Sequence, residues 1–416
     1  MVIDKEARVD QQQPGHGRVW VGIDIGKHAH HAAAVAADGQ VVWSRRVAND
    51  QAAIAELIGQ AASSAAGVCW AVDSTGGSAA LLLALLVAAD QPVVYVPGRV
   101  VNRMAGAFAG EAKTDAKDAV VIAQTARLRQ DLQAARPKDE LVAELAVLVG
   151  HRTDLLADWV RTVSRLRGLL TASFPGLERC FDFTSRSALV LVTRYQTPEA
   201  LRAVGHRRLV SWLRRQVPAQ LSDARVEQMA DAALAAAAAQ RIRLPAQEVT
   251  AQLITRLARD LLALDRRIKD LDKTIGQRLA RHPQAKIITS LPGMGPLLAA
   301  ELLVAIGDLG SFPDADHLAA YAGLAPVPRD SGRRTNNLHP PRRYNRSLRR
   351  VFYLSALSSL SSPGPNRDYY RRKRAQGRKH QQALMALARR RVDVLWALLR
   401  DNRCFELAAP IKATTA

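Results

Sequence analysis

The chain is poor in cysteine, in acids and in long apolar runs. Its three cysteines, Cys69, Cys180 and Cys404, are odd in number and far apart. That excludes a disulfide framework and a thiolate zinc site of ordinary spacing, so they read as reduced core residues. The longest strongly apolar run is the 11 residues at 79–89, whereas a bilayer-spanning helix needs roughly 18–20. The opening MVIDKEARVDQQQ lacks the basic-then-apolar layout of a secretory signal. Acids are outnumbered, with 38 Asp and Glu against 59 Lys and Arg, a net charge of +21. A chain this basic is expected to meet a polyanion, of which nucleic acid is the commonest.

What is present is a large apolar fraction and one strongly basic segment. Hydrophobic residues make up 48% of the chain, enough to bury sizeable cores and to exclude wholesale disorder. The length of 416 residues predicts about two to three domains. Between residues 329 and 380 there are 15 Lys and Arg against two acids, Asp330 and Asp368, which is over half of the excess. Solubility alone asks for a net charge of only about 2–8 in a small domain. Arg outnumbers Lys in this segment, and its planar fork matches phosphate. Several such contacts make binding fall steeply with salt.

Changes of hydrophobic period mark three regions after a polar, flexible tail at 1–17. Residues 18–135 predict an α/β domain, with strands at 18–25, 31–36, 40–45, 67–72 and 92–96 and helices at 52–65, 78–89 and 115–128. Asp38-Gly39 is a hairpin signal between the second and third strands. Residues 136–285 predict a helical linker domain with long helices at 141–172 and 247–280 around an Ala-rich helical stretch. In the later helix Leu253, Leu257, Leu261, Leu264, Ile268, Leu271 and Ile275 recur at spacings of three and four. This is a coiled-coil seam that serves either packing within one chain or dimerisation. Residues 286–416 predict a basic, mainly helical C-terminal domain.

Four aspartates carry the chemistry of the first domain. Asp24, in VGIDIGK, places a carboxylate in an otherwise apolar strand, where it needs a partner such as a cation. Asp73 ends the strand CWAVD, and strand C-termini are where α/β folds place sites. Asp115 and Asp118, in AKTDAKDA, share one face of the predicted helix, although Asp115 competes with Thr114 for the N-cap. Four oxygen donors without a thiolate suit Mg²⁺ or Mn²⁺ rather than zinc. Two such ions clamp the attacking and leaving oxygens of phosphodiester chemistry. His28, His30 and His31 follow Asp24 and read as surface residues before ligands.

In the third domain, Pro292-Gly293-Met294-Gly295 breaks two helices. It reads either as an ordinary connector or as a helix-hairpin-helix whose Gly293 and Gly295 turn offers backbone N–H groups to phosphate. Gly323 is expected to end a helix, and Pro326 and Pro328 to fix an extended loop. Ser331-Gly332 follows, flanked by Arg329, Arg333 and Arg334. It is either a plain turn or a nucleophile on a phosphodiester, with the arginines holding phosphate. Arg342, Arg343, Arg346, Arg349 and Arg350 are candidate contacts to duplex or RNA. Tyr344 is a base-stacking residue or a core residue.

Taken together, VGIDIGK, AVDSTGG and YVPGRVVNRMAGAFAGEAKTDAKDA resemble the RuvC-like (RNase H-like) DEDD catalytic domain of the IS110 family of insertion-sequence transposases. LPGMGPLLAAELLVAIGD and FPDADHLAAYAGLAPVPRDSG resemble that family's C-terminal transposase domain. The resemblance implies Asp24, Asp73, Asp115 and Asp118 as metal ligands and Ser331 as a serine that links covalently to DNA. It also implies target and donor DNA and a noncoding bridge RNA as partners, a homodimer or tetramer, and a prokaryotic, cytoplasmic, nucleoid-associated location. The family has Glu at the second acidic position, where this chain has the shorter Asp73, so ligation there is direct or water-mediated. Two rival readings remain: a junction nuclease that needs the acids but not Ser331, and a non-catalytic nucleic-acid scaffold.

Overall fold

The structure, a computed structural model, describes residues 16–107, 114–135, 139–216, 221–307, 309–332, 335 and 337–406. The chain divides into two compact units, Met1–Asp139 and Glu140–Ala416.

The first unit is a mixed five-stranded sheet with helices. In chain order its elements are β1 (His16–Asp24), β2 (Ala29–Val35), β3 (Val41–Ala48), α1 (Gln51–Ser64), β4 (Ala65–Val72), α2 (Ala80–Ala88), β5 (Val93–Tyr95), α3 (Gly98–Ala105) and α4 (Asp115–Leu128). The strand order is β3-β2-β1-β4-β5. β2 is antiparallel to β1 and β3, while β4 runs parallel to β1 and β5 parallel to β4. Alternation divides β1 between two faces. Val19, Val21 and Ile23 enter one core with Ile54 and Leu57 of α1 and Leu82 and Leu86 of α2. Trp20 faces the other, where Val121, Ile122 and Ala126 of α4 pack with Val96 and Val101. His16 and Gly17 belong to β1; the rest of the expected tail lies outside the described residues.

Helix α4 has the span its sequence predicts. Thr114, not Asp115, is its N-cap, its hydroxyl accepting from the Lys117 N–H at 3.2 Å. Asp115 and Asp118 therefore stand in the first turn, where the helix dipole favours negative charge. Helix α3 escapes the sequence reading because its eight residues are too few to show a period. Its Pro97 N-cap comes directly after the end of the strand region.

The second unit is nearly all helical: α5 (Glu140–Ser173), α6 (Pro175–Cys180), α7 (Arg186–Val192), α8 (Pro198–Val204), α9 (His206–Gln216), α10 (Asp223–Ala239), α11 (Gln247–Leu279), α12 (Ala285–Ser290), α13 (Pro296–Ile306), α14 (Ala315–Tyr321), β6 (Val327–Pro328), β7 (Leu338–His339), α15 (Arg346–Ser358), α16 (Pro365–Ala375) and α17 (His380–Arg400). It holds two apolar cores. One gathers Leu166 and Leu170 of α5, Leu261 of α11 and the helices α6 to α10. The other joins Leu145 of α5 and Ile275 and Leu279 of α11 to α12 to α15 and α17. The seam of α11 is thus partly spent within the chain: Leu261 and Ile275 are buried, Leu257, Leu264, Ile268 and Leu271 half-buried, and Leu253 exposed. Arg152 of α5 forks onto Asp272 of α11, which fixes the register of the two long helices.

Two sequence expectations are corrected. Only Cys69 is buried; Cys180 is exposed and Cys404 half-buried. His30 is 2% exposed rather than at the surface, because its β-register turns it inward beside Ala32 and Ala34. Among the described residues no helix is long and apolar enough to cross a membrane.

Candidate catalytic and nucleic-acid-binding sites

The topology of the first unit carries the aspartates toward one end of the sheet. Because β1 and β4 are parallel, with Ile23 opposite Val72, Asp24 and Asp73 leave the sheet side by side. Helix α4 runs back across the same face. Its C-terminal part is tied to the β2–β3 turn by Gln124 Nε2, which donates to the Gly39 carbonyl at 2.6 Å, and by Arg127, which donates to the Ala37 carbonyl at 3.1 Å. That turn lies at the far end of β1, so the N-terminal turn with Asp115 and Asp118 comes to the Asp24 end.

Gly22 sets how close α4 can come. A Cβ there would lie 2.3 Å from both the Ala119 carbonyl oxygen and the Ala123 nitrogen, so the helix backbone rests directly on the strand. Sequence reasoning passed over Gly22. The available signal was a glycine in the middle of an apolar strand, which marks a close backbone approach.

The electrostatics at this end are those of crowded carboxylates. Burial raises the Asp73 carboxyl above its ordinary range, backbone N–H groups of Asp73 and Ile25 offset part of this, and the charge of Asp118 raises it further. Asp73 Oδ1 is buried without a hydrogen-bond partner. An orphaned carboxylate oxygen beside a second carboxylate fits a cation. Among the described residues no three His, Cys, Asp or Glu side chains form a ready cluster around one ion. Asp24 and Asp73 are half-buried, as is Asp118, and Asp115 is exposed. Across the β1–β2 ladder His31 stands opposite Asp24, and its Nε2 meets the Ser44 hydroxyl at 2.9 Å. His31 thereby joins the aspartate face, a placement that only the strand register reveals.

In the second unit Ser331 is exposed at the tip of the β6–β7 hairpin. The hairpin is closed below it: the Arg329 N–H donates to the Asn337 carbonyl at 2.9 Å, and Asn337 Nδ2 donates to the Arg329 carbonyl at 3.1 Å. The Asp330 carboxylate accepts from the Asn337 N–H at 2.8 Å. Gly332 takes φ +54°, which lets the chain turn directly after the serine. Arg329 is exposed beside Ser331; Arg333 and Arg334 lie outside the described residues. Arg342, Arg343 and Arg346 are exposed just before and at the start of α15.

Gly293 is explained by packing. It takes φ +81°, and a Cβ there would lie 2.6 Å from the Ser355 carbonyl oxygen of α15. Arg391, itself 2% exposed, donates to the Pro292 carbonyl and to the Ser355 hydroxyl, both at 2.6 Å, and braces the turn from beneath. Gly295 is exposed as the N-cap of α13. Tyr344 is half-buried: its ring lies under Gly323, where a Cβ would come 2.4 Å from the Tyr344 Cγ, and Arg349 stacks 4.5 Å from the ring centroid.

Comparison with known proteins agrees with this layout. A transposase family model of DEDD type from IS110 elements matches residues 21–175, and the model "Transposase IS116/IS110/IS902 family" matches residues 285–371. The chain is 52% identical, over 96% of its length and 99% of the relative's, to the insertion element IS116 uncharacterized 44.8 kDa protein of Streptomyces clavuligerus. The chain belongs to the IS110/IS116 family of insertion-sequence transposases. It is also 48% identical to the IS900 42 kDa protein of Mycobacterium paratuberculosis, over 95% of this chain and 99% of that one. The pilin gene-inverting protein of Moraxella bovis is 31% identical over 33% of this chain and 45% of its own. As a transposase of this family the protein acts on DNA, and the DEDD family points to a divalent metal.

Proposed function

We propose that this transposase cuts and rejoins donor and target DNA strands of an insertion sequence through a covalent link to Ser331, with a RuvC-like site of four aspartates as its metal-dependent half. The observation that carries the reading is the parallel exit of Asp24 and Asp73 from the sheet, with the acidic first turn of α4 brought over them. Asp24, Asp73, Asp115 and Asp118 would hold Mg²⁺ or Mn²⁺, which when bound draws negative charge from the scissile phosphate.

The Ser331 hydroxyl loses its proton and its Oγ attacks phosphorus. The Oγ–P bond forms as one P–O bond to deoxyribose breaks, and the departing sugar oxygen takes up a proton. The bond energy stays in the serine ester. Attack by a free sugar hydroxyl on the same phosphorus breaks the ester and seals a new junction. Arg329, Arg333 and Arg334 bind the non-bridging oxygens, where charge builds during attack. Ser331's exposure at a hairpin tip supports this role, since a nucleophile must reach a phosphate held outside the protein.

The resemblance further supports guidance by a noncoding bridge RNA and action as a dimer or tetramer. Base pairing then reads sequence, and the basic surface holds backbones.

The test is a trapping assay. The protein, purified with co-expressed RNA, is incubated with Mg²⁺ and labelled donor and target DNA, and denaturing gels are read for a protein–DNA adduct. An adduct in the parent chain that is absent in Ser331→Ala and Asp24→Ala supports the proposal. Cleavage without an adduct, unchanged in Ser331→Ala, overturns it in favour of a junction nuclease.

A further inference from the structure

We infer that the cleft between α15 and α17 is a seat for one unpaired nucleotide of a DNA strand, its base stacked in the cleft and its phosphate on Arg346. The inference rests on the nucleic-acid reading above and adds the form of DNA that is bound. The cleft has a volume of 410 Å³ and is lined by Tyr344, Arg346, Arg349, Arg350, Tyr353 and Met385, among others. That volume lies in the range of small-ligand pockets, roughly 300–1,000 Å³.

Its lining combines two chemistries. Three arginines supply positive charge, and none of the lining residues is an acid. Among the described residues neither Arg346 nor Arg349 has an ion-pair partner, whereas Arg350 is tied to Glu301 of α13, whose side chain is 8% exposed. Arg346 stands at the first turn of α15, where free backbone N–H groups add to its pull on a phosphate.

Charge alone would suit a duplex backbone passing over an open surface. This surface is a shallow, open cleft, and its lining includes the half-buried Tyr353 and Met385. Arg349 lies over Tyr344, 4.5 Å from the ring centroid, and Tyr344 packs against the backbone of Gly323. A guanidinium held on a tyrosine ring, beside a second tyrosine and a methionine, is a stacking platform for a flat, weakly polar ring. A paired base is already stacked in its duplex and cannot enter; an unpaired base can. The chain also argues for DNA at the reacting strand. The family acts on DNA, and Tyr344 stands five residues past His339, where the hairpin that carries Ser331 ends, so DNA is the strand assigned to the cleft.

The test uses the full chain and fluorescence titrations with an oligothymidylate carrying 2-aminopurine, the corresponding duplex, and an oligouridylate. Binding of the duplex by the parent chain, weakening with salt, tests the nucleic-acid reading by itself. For the cleft, Tyr353→Leu and Arg346→Gln are expected to weaken single-stranded DNA about 10-fold. Both variants should abolish quenching of 2-aminopurine, and Tyr353→Leu should leave duplex affinity within about twofold. Arg342→Gln, outside the cleft, should weaken both forms alike. Arg346 is exposed on the helix end, so its variant reports even if Tyr353→Leu does not fold. The inference is overturned if single strand and duplex weaken equally, if quenching persists, or if only the oligouridylate is affected.

Discussion

Gly22→Ala adds one methyl group at the point where α4 touches β1. The new Cβ would sit 2.3 Å from two backbone atoms of α4, where ordinary contact begins near 3.4 Å. Neither neighbour is a flexible side-chain tip, so the helix must retreat by about 1 Å. A gap of that size forfeits a quarter to a half of the dispersion energy of the contacts it opens. Overpacking of this kind costs about 1–3 kcal/mol, and backbone on the receiving side puts this site at the upper end. A domain of this size should then melt roughly 10 °C lower. Asp118 adjoins Ala119 and would move with it, and in the proposed role of Asp118 a displacement of about 1 Å costs on the order of 100-fold in rate. The assay is thermal unfolding paired with cleavage of labelled DNA. Gly67→Ala is the control, since on the neighbouring strand a Cβ meets nothing within 4 Å. Unchanged melting and cleavage in Gly22→Ala would refute the claim that helix–strand contact positions the acids.

Further outcomes follow from the same structure. Because Asp73 binds its proton more tightly folded than unfolded, chiefly through burial, its contribution to stability is present at low pH. That contribution is lost as pH rises through the folded value. Asp73→Asn should accordingly melt higher than the parent at neutral pH in chelator, and adding Mg²⁺ should narrow or reverse the difference; equal melting in both conditions contradicts this. Ser331→Ala changes an exposed hairpin tip and should alter stability by no more than about 0.5 kcal/mol, read by denaturant titration, while removing the covalent adduct. Asn345→Ala deletes the N-cap of α15, whose side chain accepts from the Leu348 N–H at 3.0 Å, and should cost about 1 kcal/mol in the same titration. Leu261→Ala, on α11 and fully buried in the core it shares with α5 to α10, should cost about 2–5 kcal/mol.

Local patterns were readable in the sequence, and pairings were not. The strand holding Asp24 alternates so regularly that its two faces can be assigned by eye, and Thr114 with the acids after it marks the start of α4. Asp73 could be placed at a strand end because the apolar run CWAV stops there. The inward turn of His30 depends on which of two adjacent histidines faces the core, and in HAHHAAAV small residues leave both choices open until β3 pairs alongside. The pairing of β2 with β1 brings His31 opposite Asp24. The α15–α17 cleft draws on Tyr344, Tyr353 and Met385, with Gly323 and Glu301 as supports. Those residues are spread over three helices and two loops, so no window of sequence contains the site. The α11 seam looked continuous because leucine spacing alone does not record how many neighbours a helix already has.

The two proposed reactive centres are built on different kinds of element, and their chemistry asks for that difference. A carboxylate that holds a cation gains from burial and from a like-charged neighbour, since both raise the cost of leaving it bare. Parallel strands and a helix pressed onto glycine supply these conditions at Asp73 and Asp118. A nucleophile that must reach phosphorus gains instead from exposure on a short support. The two-residue strands of the β6–β7 hairpin, locked at Arg329 and Asn337 and turning at Gly332, hold Ser331 outward. Moving Ser331 into a packed helix would bury its hydroxyl, and moving Asp73 to a hairpin tip would return its charge to water. Each residue type therefore sits where its surroundings strengthen the property the reaction needs.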